Sequence, residues 1–399
     1  MQSHILKTNE FESLLLHKAV GSWVWDTNGK KYLDCESGMW CVNLGHNHPK
    51  TVEAIKDQAD KIWHRNKMFL TPATLEAAER LLNFLPNDYD KITFLNSGSE
   101  AMEFSISFAK KVTKREKVLS LQDSYLGAYG QSKESSFTSS KQSKLKIRYP
   151  ICDKTDCDCL EKHKESIDFI FKTNKDEIAC FVLEPIMVSG GIFKPCASFI
   201  QYICEKTKNV GGLVVIDEVT TGFGRTGKKF GYEIFEITPD VIVLGKALGN
   251  GYPVSAVITQ SQFETKCSSS ELYYAQSHQL DPLGAAIVNS VIDVFAEEKI
   301  LENIQSKINL LDSFFRSLTH PCIKEVRSFG MIFAIQIKSS SNMTTEEIIY
   351  TIKNKLLQEG IIIGYSTQKE LIRLLPPLTI KEEEIKILKK KMLKVLSSI

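Results

Sequence analysis

Short apolar runs that alternate with helical patterns constrain the fold of this chain more than any other feature of its sequence. Near-continuous apolar strands, separated by helical or mixed segments, are typical of a parallel sheet that helices cover on both faces. The runs are KITFLN, EKVLSL, IACFVLE, GGLVVID, DVIVLG and SAVIT. The sequence therefore predicts an α/β fold with a mostly parallel central sheet.

The segments on either side of this alternation predict a smaller α+β unit. Aromatic and β-branched residues flank Asn28-Gly29 near the start, which favours a β-hairpin. A long helical pattern from Asp281 to about Glu298 leaves the sheet region. The chain then mixes helices with short strands and closes with an amphipathic helix, whose apolar face carries Ile385, Leu388, Met392 and Val395.

The length of 399 residues favours two to three domains. We expect residues 49–285 to form a large domain and residues 286–399 to form a small one. Residues 1–48 are expected to join the small domain, because their hairpin has no place in the regular alternation that follows. Both ends of the chain would then build the same unit.

Charge and hydropathy exclude several classes of protein. Lys and Arg number 50 and Asp and Glu number 48, a net charge of +2 that does not favour nucleic-acid binding. No run approaches the roughly 18 apolar residues of a membrane span. The start lacks a charged region followed by an apolar core, so we expect no signal peptide and a cytoplasmic location.

The ten cysteines are expected to be reduced thiols, as in an intracellular enzyme. Cys152, Cys157 and Cys159, with His163 nearby, have spacings that could hold a metal ion. No second closely spaced Cys/His pair follows to complete a four-ligand site. We therefore predict a polar surface loop there and no metal centre.

The carboxyl ends of strands are where open α/β sheets place functional groups. The run KITFLN ends at Ser97-Gly98-Ser99, and a helix follows at once. Free N–H groups at a helix N-terminus suit a phosphate. An ordinary Ser N-cap completed by Glu100 would look similar, so these residues alone leave both interpretations open.

Three further strand ends carry Glu184, Asp217 and Lys246. A carboxylate and a lysine there could form a structural ion pair. Beside a phosphate site, however, they suit a lysine that forms an imine with an aldehyde cofactor, and an Asp that keeps a pyridine nitrogen protonated. Pyridoxal 5′-phosphate (PLP) requires this division of labour, and Gly249 and Gly251 would let the backbone pass close to it.

These residues stand in motifs of a known family. From about Gly21 to Pro377 the chain resembles the class III (subgroup II) PLP-dependent aminotransferases of fold type I. The stretch IDEVTTGFGRTGKKFGYEIFEITPDVIVLGKALGNGYPVSAVI matches the family signature almost throughout, and four more blocks follow the family order. These are SGMWCVNLGHNHP, FLNSGSEAMEFSISFAKK, LEPIMVSGG and LIRLLPPLTI. DEVTTGFGRTG resembles the ω-amino acid:pyruvate and diaminopelargonate branches.

The resemblance implies roles for individual residues. Lys246 would be the imine-forming lysine and proton shuttle, and Asp217 would pair with the pyridine nitrogen. Tyr125 and Val219 would pack on the two ring faces, although both could be sheet-core residues instead. The implied cofactor-binding set is Ser97, Gly98, Ser99, Tyr125, Glu184, Asp217, Val219, Thr220, Lys246 and Ser277.

Ser277 has a further implication. Its position matches a hydroxyl residue that family members supply to the phosphate of a neighbouring subunit, so the resemblance implies a homodimer with shared active sites. A plain loop residue is the alternative for Ser277.

Departures from the family pattern bear on the substrate. Relatives that act on acetylornithine, ornithine or 4-aminobutyrate carry a Glu that neutralises the carboxylate-binding Arg, and here that position is Ser189. The arginine that some of these relatives use for a distal carboxylate is Ala128. Arg373 matches the carboxylate-binding Arg and is expected to stay available to a 2-oxo acid, with a surface arginine on a strand as the alternative. Met39 and Trp40 would line the substrate pocket.

We therefore predict an aminotransferase that moves an amino group from a primary amine or amino acid, with ω-amino donors favoured, to a 2-oxo acid by a ping-pong cycle. An amino-acid racemase or aminomutase would keep the same cofactor residues and is the alternative. A binding protein on a degenerate enzyme fold is disfavoured by the joint presence of Lys246 and Asp217.

Overall fold

The central sheet of the protein is mixed but mostly parallel. The computed structural model describes residues 4–6, 8, 11–86, 88–140, 145–152 and 157–399. Across the sheet the strands are β4 (Lys91–Leu95), β10 (Ser255–Thr259), β9 (Val241–Leu244), β8 (Leu213–Asp217), β7 (Ile178–Leu183), β5 (Lys117–Leu121) and β6 (Lys146–Ile147). Strand β10 runs antiparallel to β4 and β9, whereas the pairs β9/β8, β8/β7, β7/β5 and β5/β6 are parallel. The predicted α/β fold is confirmed.

Helices bury both faces of this sheet, as the continuous apolar runs predicted. All residues of β7, β8 and β9 are buried. Because successive side chains of a strand point to opposite faces, Phe181 packs with the helix α7 (Ala197–Asn209) in one apolar cluster. Its neighbour Val182 packs with the helix α4 (Gly98–Thr113) in another.

The remaining helices follow the predicted pattern in most places. The predicted helix near residues 281–298 is observed at Pro282–Glu297. It packs against the helices Pro49–Ala59 and Pro72–Phe84. The other helices are α1 (Ser37–Trp40, one turn), α2 (Pro49–Ala59), α3 (Pro72–Phe84), α5 (Gly130–Ser135), α6 (Cys159–Asn174), α8 (Ser261–Glu264), α9 (Ser269–Leu272), α10 (Pro282–Glu297), α11 (Ile300–Arg316), α12 (Thr345–Gln358) and α13 (Glu382–Leu396). No helix in these described ranges is long and apolar enough to cross a membrane.

Two four-stranded sheets flank the central one. The first contains β1 (Leu16–Val20), β2 (Trp23–Asp26), β3 (Lys31–Asp34) and β13 (Ile361–Ile362), in that order. The second contains β11 (Ile323–Phe329), β12 (Ile332–Ile337), β15 (Leu371–Leu374) and β14 (Gly364–Ser366). Strand β13 pairs in parallel with β3, so a C-terminal strand completes the N-terminal sheet. The domain limits at residues 1–48, 49–285 and 286–399 stay a prediction.

A side-chain contact also joins the two ends of the chain. Trp23 Nε1 in β2 donates a 2.7 Å hydrogen bond to Glu384 Oε1, at the start of α13. The other oxygen of Glu384 accepts a 2.8 Å bond from the Lys381 N–H and caps this helix. Glu384 is buried, so both of its oxygens act where water is largely excluded.

We expect Glu384→Ala to lower the free energy of unfolding by about 1–3 kcal/mol, because it leaves the Trp23 and Lys381 N–H groups without acceptors. Chemical denaturation measures this change. Glu383→Ala is the matched control, since Glu383 is exposed on the same turn and its loss is expected to change stability by less than about 0.5 kcal/mol. Equal effects of the two substitutions would contradict the role of Glu384 as a link between the chain ends.

Candidate active site

Three strand ends of the central sheet approach one another closely at Val219. Gly98 follows β4, Val219 follows β8 and Gly245 follows β9. A Cβ atom added to Gly98 would lie 2.8 Å from Val219 Cγ1, and one added to Gly245 would lie 3.3 Å from the same atom. Both positions therefore need glycine or a shift of Val219. The close contact brings the strand ends together, and the cup is the region around Gly98, Val219 and Gly245.

Lys246 and Asp217 lie at the rim of this cup. Asp217 is the last residue of β8 and is buried, and its Oδ1 accepts a 2.9 Å bond from the Val219 N–H. Lys246 opens a 3₁₀ turn directly after β9, with a φ of +42° that non-glycine residues rarely adopt. Its Nζ donates a 2.5 Å hydrogen bond to Thr220 Oγ1.

Burial sets the protonation of this group of residues. Burial raises the pKa of Asp217 to about 6, against the Val219 N–H and the Lys246 charge, which both favour the carboxylate. Burial and the Asp217 charge raise the pKa of Glu184 well above its ordinary value. Burial also lowers the pKa of Lys246, although Asp217 opposes this shift. At neutral pH, Asp217 is therefore the carboxylate that stays charged beside the lysine.

The N-terminus of α4 faces the same cup. Ser97 is its N-cap, and Ser97 Oγ accepts a 3.2 Å bond from the Glu100 N–H. Ser99 Oγ accepts a 3.1 Å bond from the Ala128 N–H, which ties the loop after β5 to the helix. The same loop presents Tyr125, whose N–H donates a 2.5 Å bond to Glu184 Oε2. The dipole and free N–H groups of the helix suit an anion here.

A left-handed turn of the N-terminal segment, Ser37–Trp40, lies over these strand ends. Ser37, Gly38, Met39 and Trp40 all have positive φ, from +42° to +68°, and three of the four are not glycine. Such strain persists only where surrounding contacts hold it. Asp34 supplies two of them, since its carboxylate accepts 2.9 Å and 2.8 Å bonds from the N–H groups of Glu36 and Gly38.

The turn places the Trp40 ring next to two cations. Lys246 Nζ lies 4.7 Å and Arg373 Cζ lies 4.6 Å from the centroid of this ring. Attraction between a cation and an aromatic face operates at these distances. Trp40 therefore links the large sheet to β15 of the small one, and brings the predicted carboxylate-binding Arg373 close to the predicted catalytic lysine.

Glu36, which the sequence analysis missed, is the second neighbour of Arg373. Its Oε2 lies 3.6 Å from Arg373 Nε and accepts a 3.3 Å bond from Trp40 Nε1. Among the described residues, neither Glu36 Oε1 nor Arg373 Nε has a hydrogen-bond partner, although both atoms are buried. Burial raises the pKa of Glu36 to about 7, with Arg373 opposing the shift. Glu36 is thus a carboxylate neighbour of Arg373 that is distinct from the Glu replaced by Ser189. The availability of Arg373 to a 2-oxo acid stays a prediction.

The structure does not bring every predicted residue to the cup. Met39 is 59% exposed at the outer side of the left-handed turn. Ser277 is exposed in the segment between α9 and α10, and no hydrogen bond in the described part of the chain joins it to the residues above. Trp40 lies on the left-handed turn, Tyr125 lies in the loop after β5 and Arg373 lies on β15. The other predicted site residues lie at the strand ends.

Two other buried charged residues near the site form hydrogen bonds within the fold. Glu218 accepts bonds from Thr221 Oγ1, from the Gly231 N–H and from the Tyr232 N–H. Arg225 contacts Ser37 among other partners. Nothing in the local sequence marks Glu36 as different from these two, because a single charged residue in an apolar stretch does not reveal whether its partners are backbone groups or a substrate-facing arginine.

Comparison with known proteins identifies the class. A family model described as aminotransferase class-III matches residues 6–396. An acetylornithine aminotransferase of Bacillus cereus is 31% identical over 96% of this chain and 95% of its own length. The structure of an adenosylmethionine-8-amino-7-oxononanoate aminotransferase of Methanocaldococcus jannaschii is 27% identical with a TM-score of 0.86, and the match covers 97% of this chain and 94% of that one.

A ω-aminotransferase of Paracoccus denitrificans has the same fold, with a TM-score of 0.90 at 23% identity over 100% of this chain and 97% of that one. The family match over almost the whole chain and the transaminase relatives indicate a PLP-dependent transaminase. The chain belongs to the class-III aminotransferases. The racemase alternative is not favoured, because the matches are to aminotransferases.

Proposed function

We propose that this aminotransferase holds PLP in the cup between Gly98, Asp217 and Lys246. The observation that carries the proposal is the convergence of a buried carboxylate, a lysine of lowered pKa and a helix N-terminus at adjacent strand ends. Gly98 and Ser99 would bind the phosphate, Asp217 would face the pyridine nitrogen, and Val219 and Tyr125 would pack on the ring. Ser97, Glu184 and Thr220 would complete the set by supporting these groups.

The residues of the chain then have separate tasks. Bound PLP supplies an electron sink for the carbon that loses a proton. Lys246 Nζ moves that proton, and its lowered pKa brings the amine closer to the range in which it can act as a base. Thr220 orients Nζ through its 2.5 Å hydrogen bond. Asp217, whose pKa is about 6, is ionised at neutral pH and would balance a positive charge on the ring nitrogen.

Arg373 is proposed to bind the carboxylate of the 2-oxo acid, with Glu36 as an internal competitor. The buried, unsatisfied Nε of Arg373 and its side chain beside Trp40 suit a carboxylate. Ionised Glu36 contacts the same guanidinium, and the substrate carboxylate would have to displace it on binding. Neutral Glu36 offers less competition, so its pKa of about 7 makes the strength of the competition depend on pH.

For the amine donor, an ω-amino compound is proposed over N-acetylornithine. Ala128 stands where some relatives use a second arginine, so this position has no guanidinium to bind a distal carboxylate. An aromatic wall at Trp40 favours the same interpretation. The 31% identical B. cereus relative is named for acetylornithine, so this substrate is the direct competitor in a donor panel. A marked preference for N-acetylornithine over monoamines and ω-amino acids would contradict the proposal.

A homodimer with shared sites is also proposed, and exposed apolar side chains support it. Five large side chains between residues 63 and 75 are more than half exposed, and they are Trp63, Met68, Phe69, Leu70 and Leu75. Exposed apolar groups in this number are typical of interaction surfaces. Arg65 Nη2 donates a 2.9 Å bond to Gln279 O, so this segment lies beside the loop of Ser277. Met39 would also be covered at such an interface.

The cytoplasmic location stays a prediction.

We expect Lys246→Ala to abolish the visible absorbance change of the cofactor and to lower turnover by at least about 10²–10⁴-fold, since the variant lacks its proton carrier. The measurement mixes purified enzyme with an amine donor alone. The unchanged enzyme is expected to convert its cofactor to pyridoxamine phosphate without racemising the donor. Lys228→Ala is the control, because Lys228 is exposed. Full turnover by the Lys246 variant would overturn the mechanism.

The KM for the 2-oxo acid is expected to rise about tenfold between pH 6 and pH 8, as Glu36 loses its proton through a pKa of about 7 and competes for Arg373. Glu36→Gln is expected to keep a low KM across this range, because the amide carries no charge. Steady-state kinetics at each pH measure both. An amine donor without a carboxylate serves as the control substrate. A flat KM in the unchanged enzyme would contradict the competition.

Phe69→Arg is expected to weaken the dimer by at least about tenfold, because it places a charge in a contact that excludes water. Sedimentation equilibrium measures the dissociation constant. Phe169→Arg is a closely matched control, since Phe69 is 68% and Phe169 is 69% exposed, and Phe169 lies on α6. An unchanged enzyme that sediments as a monomer would refute the proposed dimer.

A further inference from the structure

Four cysteine side chains lie near the N-terminal ends of α6 and α7. The Sγ atoms of Cys152, Cys157 and Cys159 all lie within 4.8 Å of one another. The Sγ of Cys196 lies 3.4 Å from that of Cys157. Cys196 is buried, and the other three are partly buried. The structure therefore brings together the three residues that the sequence spacing had singled out and a fourth from 37 positions beyond Cys159.

Backbone contacts hold the two segments in this arrangement. Ile151 forms an isolated antiparallel bridge with Pro195, and the Cys196 N–H donates a 3.0 Å bond to Pro150 O. These contacts place Cys152 and Cys196 on two neighbouring extended segments. Cys159 is the first residue of α6, a helix of 16 residues that packs against α7. Backbone contacts therefore position Cys152 and Cys196, and the first turn of α6 positions Cys159.

The distances between the thiols suit a bound metal better than a disulfide. A disulfide requires sulfur atoms about 2.05 Å apart, and all ten cysteines are thiols in the structure. Tetrahedral zinc with Zn–S bonds of about 2.3 Å separates its sulfur ligands by about 3.8 Å. The observed 3.4 Å between Cys157 and Cys196 needs only a small adjustment to meet this value. An all-sulfur set favours zinc or iron over calcium or magnesium.

The surroundings of the cluster suit thiolate ligands. Cysteines that bind a metal do so as thiolates. Cys159 is the first residue of α6, and the N-terminal dipole of this helix favours negative charge on its sulfur. Ser198 Oγ lies 3.2 Å from Cys196 Sγ and can donate to a thiolate there.

In place of the metal-free surface loop that the sequence spacing predicts, we propose that Cys152, Cys157, Cys159 and Cys196 bind one structural Zn²⁺ ion. Each thiol loses a proton as its sulfur binds zinc, so no oxidant or reductant takes part. Four protein ligands leave no open coordination position, as in structural zinc sites. Cys196 is preferred to His163 as the fourth ligand because its Sγ lies 3.4 Å from Cys157 Sγ, whereas the His163 ring packs edge-on against Phe199.

Such a site would clamp the start of α6 to the start of α7. The segment that ends at Cys196 begins at Glu184 in the proposed cofactor site and folds back through a bridge between Met187 and Phe193. Arg327 Nη2 donates a 2.8 Å bond to Gly191 O in the same segment. Zinc would therefore fix the far end of a wall of the active site without touching the substrate.

Metal analysis of the enzyme, purified with PLP, is the direct test. Elemental mass spectrometry is expected to find one zinc per chain. Cys159→Ser and Cys196→Ser are each expected to weaken zinc binding by more than the 10–100-fold that loss of an outer-shell partner costs. Cys267→Ser is the control, since Cys267 lies in another part of the chain, and it is expected to keep its zinc. Iron in place of zinc, or zinc retained by both cluster variants, would overturn the proposal.

A second measurement on the unchanged enzyme holds even where a variant fails to fold. After removal of metal by a chelator, Co²⁺ titration is expected to saturate at one equivalent, with the red absorption bands of a tetrahedral thiolate site and release of protons. The chelated enzyme is expected to melt at a lower temperature and to recover with Zn²⁺. Absence of the cobalt bands, or a disulfide among these cysteines in non-reducing mass spectrometry, would refute the site.

Discussion

The buried guanidinium of Arg225 joins the parts from which the active site is built. Its Nη1 donates to Pro376 O at 2.5 Å and to Met331 O at 3.4 Å, and its Nη2 donates to Ser37 Oγ at 3.2 Å and to Asn43 Oδ1. These partners belong to the N-terminal segment and to the C-terminal sheet region, whereas Arg225 itself follows β8. Burial lowers its pKa to about 9, so it stays charged at neutral pH, and its loss would leave several acceptors without donors.

This connection explains how a strained turn can lie over the strand ends. Left-handed backbone at Ser37, Met39 and Trp40 is unfavourable by itself. Arg225 holds Ser37, and Ser37 Oγ also donates a 2.7 Å bond to Leu375 O just beyond β15. The turn is therefore held to the segment after β15, which keeps Trp40 between Lys246 and Arg373. The geometry of the proposed substrate contacts thus depends on a residue that lies outside the cup.

The arrangement of charges inside the cup follows from burial of unequal carboxylates. Asp217 receives an N–H bond and a nearby ammonium, so its pKa rises only to about 6. Glu184, next to that charge, is pushed further towards its neutral form. Glu36 lies between these extremes, with a pKa of about 7 beside an arginine. The three carboxyl groups therefore differ in their degree of ionisation near neutral pH: Asp217 is mostly ionised, Glu184 is mostly neutral and Glu36 is between them.

The sequence by itself determined the sheet and most of the strand-end residues. Apolar runs mark buried strands, and the carboxyl ends of parallel strands must share one edge, so Gly98, Asp217 and Lys246 could be placed together. Only the tertiary structure decided that Glu36 faces Arg373 and that Cys196 joins the cysteines near residue 157. Both contacts link positions far apart in the chain, and local periodicity carries no information about such pairs. Side-chain packing between separately formed elements brings them within reach.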